Sequence, residues 1–486
     1  MNSAIFGLAR RVGFALIGSV FMLIAGCATG GGDSRDPFEG FNRSMYGFNQ
    51  TVDEAVLKPV AKAYKSGLPE IVQTGVRNFF SNLADIFISV NNLLQGKVVE
   101  AANDGMRFAL NTTIGGFGVL DWASEMGLEK HNEDFGQTFG RWGVGDGPYI
   151  VWPFLGSSTA RDSVGEVLDI SVDPVSNHKP IAARNAMYLT RVVGKRADLL
   201  DASRILEEAA LDKYVFERDA YLQRRRNLIY DGNPPRESAR AVPSEWPSFR
   251  AAKFLSHRIR KPSSSCRRGE RETHRVLRTG SRFLALASFA GFFLAGSLGA
   301  EELAPDLLVK NVTLEVIDII SKDKDIQSGN QRKIVELVEA KVLPHFNFPA
   351  MTRLAVAINW EKSSPEQKKQ LTEEFKTLLV RTYSSALSAY RDQKFDFRPL
   401  RAKPTETDVT VQVRISQGGR EPVTLEYDME RTASGWKVYD VRVGGVSLVA
   451  NYRTEFSNEI RGNGIEGLIK SLAAKNRGQT IRADKK

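Results

Sequence analysis

Two apolar runs of the export type occur in this chain, and the second lies in its middle. Ser281-Arg-Phe-Leu-Ala-Leu-Ala-Ser-Phe-Ala-Gly-Phe-Phe-Leu-Ala-Gly-Ser-Leu-Gly-Ala300 has a basic leader, an apolar centre and an end in small residues. That order is how a secretory signal peptide reads. A chain with two export signals reads as two exported proteins written in one frame. At 486 residues it is also too long for one core, so two domains are expected on length alone.

The formal charge of +10 suggests nucleic acid until it is located. Between Ala251 and Arg282 there are ten Lys/Arg and two Asp/Glu, a net of +8, which leaves +2 for everything else. The basicity belongs to one junction and not to a binding face, so no nucleic-acid partner is expected. The two cysteines, Cys27 and Cys266, form no CxxC, and the five histidines are scattered. Neither a disulfide framework nor a metal site is implied.

Near the N-terminus, Arg10 and Arg11 precede a mostly apolar Val12–Ala25 and then Gly26-Cys27. The run is short for a membrane span and stops abruptly. A cysteine behind small residues resembles a bacterial lipobox, which implies cleavage before Cys27 and acylation of its sulfur. Acyl chains contribute about 0.8 kcal/mol per buried CH₂, so several hold a protein firmly on a membrane. Ala28–Ser34, rich in glycine, then reads as a tether.

Asp36-Pro37 is a helix start, with a capping carboxylate followed by proline. Phe38, Phe41, Met45 and Phe48 recur at helical spacing. Such a stripe packs on a core or, directly after a lipid anchor, lies in the membrane; both readings stand. Further helices are expected over Pro69–Gln95, with Val72, Val76, Phe79, Phe80, Leu83 and Phe87 on one side, and over Val98–Asn111, Ala160–Asp169, Arg184–Leu200 and Ser203–Ile229. With no convincing strand ladder, this half is expected to be mainly α. Between the helices, Phe135–Gly156 is rich in glycine and tryptophan. Gly143-Val-Gly145 is superficially a phosphate loop, but no Lys-Ser/Thr follows. The glycines suit tight turns or a hinge, and the aromatics suit a water–lipid boundary.

Asp36-Pro-Phe-Glu-Gly-Phe-Asn-Arg-Ser-Met-Tyr-Gly-Phe-Asn49 resembles the opening of the MlaA (VacJ) lipoproteins. Arg107–Gly115, Phe135–Tyr149, Lys195–Asp201 and Arg218–Arg224 resemble the same family, in order. The resemblance implies a helical ring in the outer membrane beside trimeric porins. Its amphipathic channel would take misplaced phospholipid from the outer leaflet. Gly143, Gly145 and Gly147 would form a flexible loop near that channel.

The junction at 233–282 is Pro- and Ser-broken, highly charged and poor in large apolar residues, so it is expected to be disordered. Its basic run either contacts anionic headgroups or is simply solvated. As a stop-transfer helix Phe283–Ala300 is weak, with several Gly and Ser, and a cleaved signal is the favoured reading. Whether the two halves persist as one mature polypeptide is left open.

In the second half, Leu308, Val312, Val316 and Ile320 share a helical stripe, and Ser364-Pro-Glu-Gln367 is a capping box. Then the period becomes two. Val409, Val411, Val413 and Ile415 alternate with polar residues, as do Val423, Leu425, Tyr427 and Met429, and a third strand starts at Trp436. Three strands with one apolar face need a helical cover, giving α+β. Val411, Val413, Val423, Leu425 and Tyr427 are expected on one face, either as plain core or as a cavity wall. Leu343–Pro349, Trp436–Ser447, Tyr452–Ser457 and Gly464–Ile469 resemble the MlaC (toluene-tolerance) family. That resemblance implies a soluble periplasmic carrier that holds phospholipid tails between sheet and helices. It would exchange lipid with an inner-membrane ABC transporter complex.

The expected organisation is therefore a lipoprotein signal over 1–26, a helical lipoprotein domain over 27–232, a linker over 233–282, a second signal-like segment over 283–300 and a carrier domain over 301–486. No GxSxG, HExxH or Walker sequence is present, so binding without catalysis is expected, with phospholipid as cargo and no cofactor. Asp428 and Asp440 are a conceivable carboxylate pair, and His345 reads as a packing or capping residue. A structural envelope lipoprotein and a periplasmic phospholipase are the alternative functions.

Overall fold

The computed structural model describes residues 33–235, 303–384, 393–400, 405–416 and 422–483. The lipobox cysteine Cys27, most of the junction and the second apolar run lie outside them.

The first region is built from helices. Chain order gives α1 (Glu39–Val52), a π-helical turn (Asp53–Leu57), α2 (Lys58–Gly67), α3 (Glu70–Leu94), α4 (Val98–Thr113), α5 (Trp122–Glu125) and α6 (Phe135–Arg141). A hairpin comes next, β1 (Tyr149–Trp152) and β2 (Gly156–Thr159), and then α7 (Ala160–Val172), α8 (Ile181–Asp198), α9 (Leu200–Ala209) and α10 (Lys213–Ile229). The helical expectation holds, with three differences. Asp36 does not cap α1, which starts at Glu39 with Phe38 before it and no side-chain cap; the buried Asp36 carboxylate accepts instead from Asn42 Nδ2 and the Tyr214 hydroxyl. The Gly- and Trp-rich stretch yields the antiparallel β1–β2 pair, with Tyr149 opposite Thr159. The helix expected over Ser203–Ile229 is broken at Ala210–Asp212, because the Asp212 carboxylate turns back to accept from the Tyr214 and Val215 N–H groups and caps a new helix.

Side chains also cap the starts of α6 and α7. Asp134 accepts from Gln137 N at 2.7 Å, and Thr159 accepts from Asp162 N at 3.2 Å. Helices α6 and α7 meet at two glycines. A Cβ on Gly165 would stand 2.4 Å from Gly136 N, so only glycine permits this crossing.

The second region is α+β. Its helices are α11 (Pro305–Lys322), α12 (Lys324–Gln327), α13 (Gln331–Lys341), α14 (Phe348–Val356), α15 (Pro365–Ser384) and α16 (Tyr452–Ala483). The capping box closes as expected: Ser364 N donates to Gln367 Oε1 at 2.9 Å, and Gln367 N donates to Ser364 Oγ at 3.2 Å. Helix α16 is kinked at Gly464, whose φ of 71° is left-handed. Five antiparallel strands form a meander in chain order: β3 (Lys394–Phe397), β4 (Asp408–Ser416), β5 (Val423–Thr432), β6 (Gly435–Val443) and β7 (Val446–Ser447). Short β3 and β7 are additional to the three strands that alternation marks. Val316, Ile320, Ile326, Ile334 and Leu337 form one apolar cluster among α11, α12 and α13, and two further cores accompany it. One lies among α14, α15 and α16 around Phe375, Tyr452, Phe456 and Leu468. The other lies on the sheet face that Leu308 and Val309 of α11 cover. The described residues before 235 and after 302 belong to one compact unit.

Candidate functional site

Two helices of the first region, α3 and α4, reverse the usual distribution of polarity. Along α3 and α4 the buried side chains are Asn78, Asn82, Asp85, Asn91, Asn92, Asp104, Arg107 and Asn111, with Ile88 and Ala101 among them. Asn92 is 0 % and Arg107 is 2 % exposed, while Ile71 is 79 %, Val99 is 78 % and Phe117 is 76 % exposed. A buried polar interior is stable only when its groups are paired, and most of these are. Arg107 donates to Leu128 O at 2.6 Å and to Asp121 Oδ1 at 3.0 Å. Asn92 donates to Asp104 Oδ2 at 2.8 Å, and Lys130 pairs with Asp85. Burial is the main force on the Asp85 carboxyl and lifts it above its ordinary range, against the pull of Lys130 and Arg107. An apolar exterior this extensive is costly in water and calls for an apolar surrounding. The second region exposes far fewer large apolar side chains: Leu303, Leu307, Leu314, Ile358, Val423 and Val443. Among the described residues, no helix is long and apolar enough to cross a membrane.

On this exterior lies a cavity of about 600 Å³ between α3 and α8. Val72, Val76, Phe79 and Phe80 of the α3 stripe line it, and Ala186, Met187 and Thr190 of α8 close it. Gly75 and Val119 also line it, and a Cβ on Gly75 would stand 3.0 Å from Val119 Cγ1. The volume falls in the range of small-molecule sites.

The aromatic stripe of α1 divides between the two environments foreseen for it. Met45 packs on the cluster of Tyr149, Val151, Tyr214 and Val215, so it faces core. Phe38 and Phe41 are half-buried. Phe48 is exposed and meets the Phe154 ring edge-on at 5.2 Å. What the stripe conceals is a pair of asparagines seven residues apart on the same helix. Asn42 donates to Tyr149 O at 3.0 Å and accepts from Val151 N at 2.9 Å. Asn49 donates to Trp152 O at 2.8 Å and accepts from Phe154 N at 2.7 Å. Two helical turns span about 10.8 Å, close to the reach of three strand residues, so the amides imitate a neighbouring strand and satisfy the open edge of β1. Periodicity of apolar residues gives no sign of this.

The glycine loop leads into β1. Gly143 has φ 91° just after α6, where its N–H bonds Gly140 O, a helix C-terminal turn that needs a left-handed residue. Gly147 has φ 68°, and a Cβ there would stand 2.9 Å from Ala160 Cβ. Gly145 has open space around it. Asp146 of this loop pairs with the buried Arg161.

In the second region, β4 and β5 align Val411 with Tyr427, Val413 with Leu425 and Ile415 with Val423. Opposed residues share a face, so Val411, Val413, Val423, Leu425 and Tyr427 lie together. Val409, Val411, Val413 and Met429 are buried there, while Leu425 and Tyr427 are half-buried and Val423 is 42 % exposed. Val443 is opposite Leu425 and also exposed. The apolar face is therefore sealed at one end and open at the other. Burial pushes the Tyr427 phenol up to about 12. The other face is polar. Arg442 pairs with Asp428 at 2.7 Å and with Glu426 at 3.3 Å. Asp428 and Asp440 are directly opposed across β5 and β6, and burial raises the Asp440 carboxyl to about 6. The Ser447 hydroxyl bonds the Asp440 carboxyl, which is a structural use of the group. His345 ends a 3₁₀ turn, where burial and Lys437 lower its imidazole.

Known proteins give matches to each region. The MlaA lipoprotein family matches residues 34–228, and the MlaC protein family matches residues 310–474. The intermembrane phospholipid transport system lipoproteins MlaA of Escherichia coli (strain K12) and of Shigella flexneri are each 36% identical over 227 residues, 45% of this chain and 90% of theirs. A solved phospholipid-binding protein from Ralstonia solanacearum, in complex with a phospholipid, is 34% identical; the alignment covers 36% of this chain and 98% of that one, with a TM-score of 0.35.

Proposed function

Because the chain belongs to the MlaA lipoprotein family over 34–228 and to the MlaC protein family over 310–474, and so to intermembrane phospholipid transport, we propose that it performs two consecutive steps. The first region, anchored to the outer membrane through acylated Cys27, takes phospholipid from the outer leaflet. The second, in the periplasm, receives the acyl chains and carries them to an inner-membrane ABC transporter. Under this reading the helices of the first region form a ring beside trimeric porins, and Gly143, Gly145 and Gly147 flex beside its channel.

One observation carries the reading: two interiors of opposite polarity in one chain. A domain with a paired polar interior and an apolar exterior suits a bilayer. A carrier with a half-open apolar sheet face suits the aqueous gap. Exposing roughly thirty CH₂ groups to water would cost about 24 kcal/mol at about 0.8 each, so the chains must stay covered throughout transfer. No chemistry is asked of the protein.

Lipid co-purification tests it. Leu425→Asp places a charge at the open end of the apolar face, where it should expel lipid and largely preserve the fold. Thr424→Asp lies on the polar face, opposite Arg414, and should leave lipid content unchanged. Mass spectrometry of the purified protein is expected to find phospholipid in wild type and Thr424→Asp, and to find it depleted in Leu425→Asp. A folded Leu425→Asp protein with full lipid content would refute the assignment of this face. A wild-type protein without lipid would favour a structural role, and release of fatty acids would indicate a phospholipase.

A further inference from the structure

The break between α9 and α10 leaves orphan backbone groups, carbonyls at the end of one helix and N–H groups at the start of the next. Asp212 satisfies Tyr214 and Val215 only. Four more backbone groups at the break are met from the far end of the chain. Lys475 Nζ donates to Glu207 O at 3.1 Å and to Ala210 O at 2.8 Å. The Glu455 carboxyl accepts from Asp212 N at 2.8 Å and from Leu211 N at 3.4 Å. A cation thus sits on the carbonyl end, as the helix dipole favours, and the carboxyl oxygens of Glu455 accept at the N–H end. Glu455 and Lys475 stand on opposite arms of the kinked α16, and the left-handed Gly464 allows both arms to reach one break.

Around this point the contact has the anatomy of a recognition surface. Ala209, Ala210 and Phe216 are buried with Phe375, Tyr452, Leu468 and Leu472, and the Phe216 and Tyr452 rings meet edge-on at 5.4 Å. Gln223 then donates to Asn451 Oδ1 at 3.1 Å and accepts from Ser447 N at 3.0 Å, while Asn451 donates to Phe216 O at 3.2 Å. An apolar centre with a buried ring anchor and a hydrogen-bonded surround is how specific interfaces are built. Much of the recognition reads backbone atoms of residues 207–216.

We infer that the α9–α10 break is a docking site for the carrier region, with Glu455, Lys475, Asn451 and Tyr452 as its recognition residues. The second region binds there by its own surface. Its partner is accordingly a carrier of this kind presented in solution, not only the one covalently attached. That such docking passes lipid from one region to the other rests on the transport reading above; the docking itself does not.

The test uses the full chain in detergent, with a protease sequence inserted in the junction and an affinity tag on the first region. After cleavage, the second region is expected to stay bound during micromolar size exclusion. The double variant Glu455→Ala/Lys475→Ala should lower retention at least tenfold. Arg414→Ala, which removes only the peripheral 2.5 Å contact to exposed Glu129, should change it less than threefold. Circular dichroism checks the released variant. If it has lost helix, Gln223→Ala, which acts from the first region, replaces it and must also weaken retention. Separation of the wild-type halves, or full retention by the substituted proteins, overturns the docking site. Release of a lipid-loaded second region would overturn the dock and leave transport standing. Firm retention of a lipid-free one would do the reverse.

Discussion

Replacing Asn42 isolates the strand mimicry that holds the glycine-rich hairpin. The side chain is fully buried and makes three hydrogen bonds: to Asp36 at 2.8 Å, to Tyr149 O at 3.0 Å and from Val151 N at 2.9 Å. Asn42→Ala deprives two buried backbone groups of β1. At about 1–3 kcal/mol for each, the loss is about 2–6 kcal/mol before any cavity cost. For a region of this size each kcal/mol moves Tm by about 2–4 °C, so a fall on the order of 10 °C is expected. Asn49→Ala removes the same chemistry one step along the strand. There the side chain is half-buried and water can replace it, so only about 1 kcal/mol is expected. Asn42→Asp retains an acceptor for Val151 N, cannot donate to Tyr149 O and sets a second carboxylate against Asp36; it should fall at least as far as alanine. Thermal unfolding in detergent, followed by the fluorescence of Trp152 at the end of β1, reads all three. If Asn42→Ala and Asn49→Ala both melt within about 2 °C of wild type, a shift worth no more than about 1 kcal/mol, the asparagines are not completing the strand and the account fails.

Docking should depend on pH through Glu455. Burial, aided by Asp212 and Asp219, raises its carboxyl to about 8 against the opposing N–H groups of Leu211 and Asp212. A carboxyl raised on docking favours the docked state below its free value, and that advantage is lost as pH rises through the docked one. Retention of the cleaved carrier should therefore be strongest near pH 5, weaken towards about pH 8 and level off beyond it; Glu455→Gln should flatten the profile, and an unchanged slope in that variant would exclude Glu455 as the source. Gly165→Ala forces a Cβ into the backbone of Gly136 and should cost about 1–3 kcal/mol, visible as a lower Tm. Gly145→Ala meets open space and should leave Tm unchanged, so a loss of lipid transfer in that variant would mark hinge motion at this loop; normal transfer would show that its freedom is not used.

The elements legible in the sequence were those whose causes are local. The Ser364–Gln367 capping box closes within four residues, and the alternation of β4 and β5 places Val411 against Tyr427 without reference to anything distant. The α3 stripe was legible too, and four of its residues line the apolar cavity. What could not be read is satisfied from far away. The break at Ala210–Asp212 has a local cap in Asp212, but further backbone groups there are met only by Glu455 and Lys475, more than two hundred positions later. The fate of Met45 is settled by Tyr149 and Tyr214, and the two-residue β7 exists only beside Arg442 and Val443.

The largest gap concerns the first region, and its origin is physical. Helical periodicity separates two faces of a helix but does not say which is inside, because the moment of a stripe has the same magnitude whichever way it points. In water the apolar face turns inward by default. In α3 and α4 the asparagines, Asp85, Asp104 and Arg107 turn inward instead, and many residues that would form a soluble core are left outside. The reversal becomes readable only with the solvent specified. The sequence feature that bears on it lies elsewhere in the chain, in an apolar run ending at Gly26-Cys27 that resembles a lipobox; on the proposal that Cys27 is acylated, the downstream domain meets a membrane surface. Reading the polar positions of α3 and α4 as a pairing problem would have exposed it. A face carrying five asparagines, two aspartates and an arginine over two adjacent helices has donors and acceptors in the proportions of a self-satisfying interior, and water has no need of such a match.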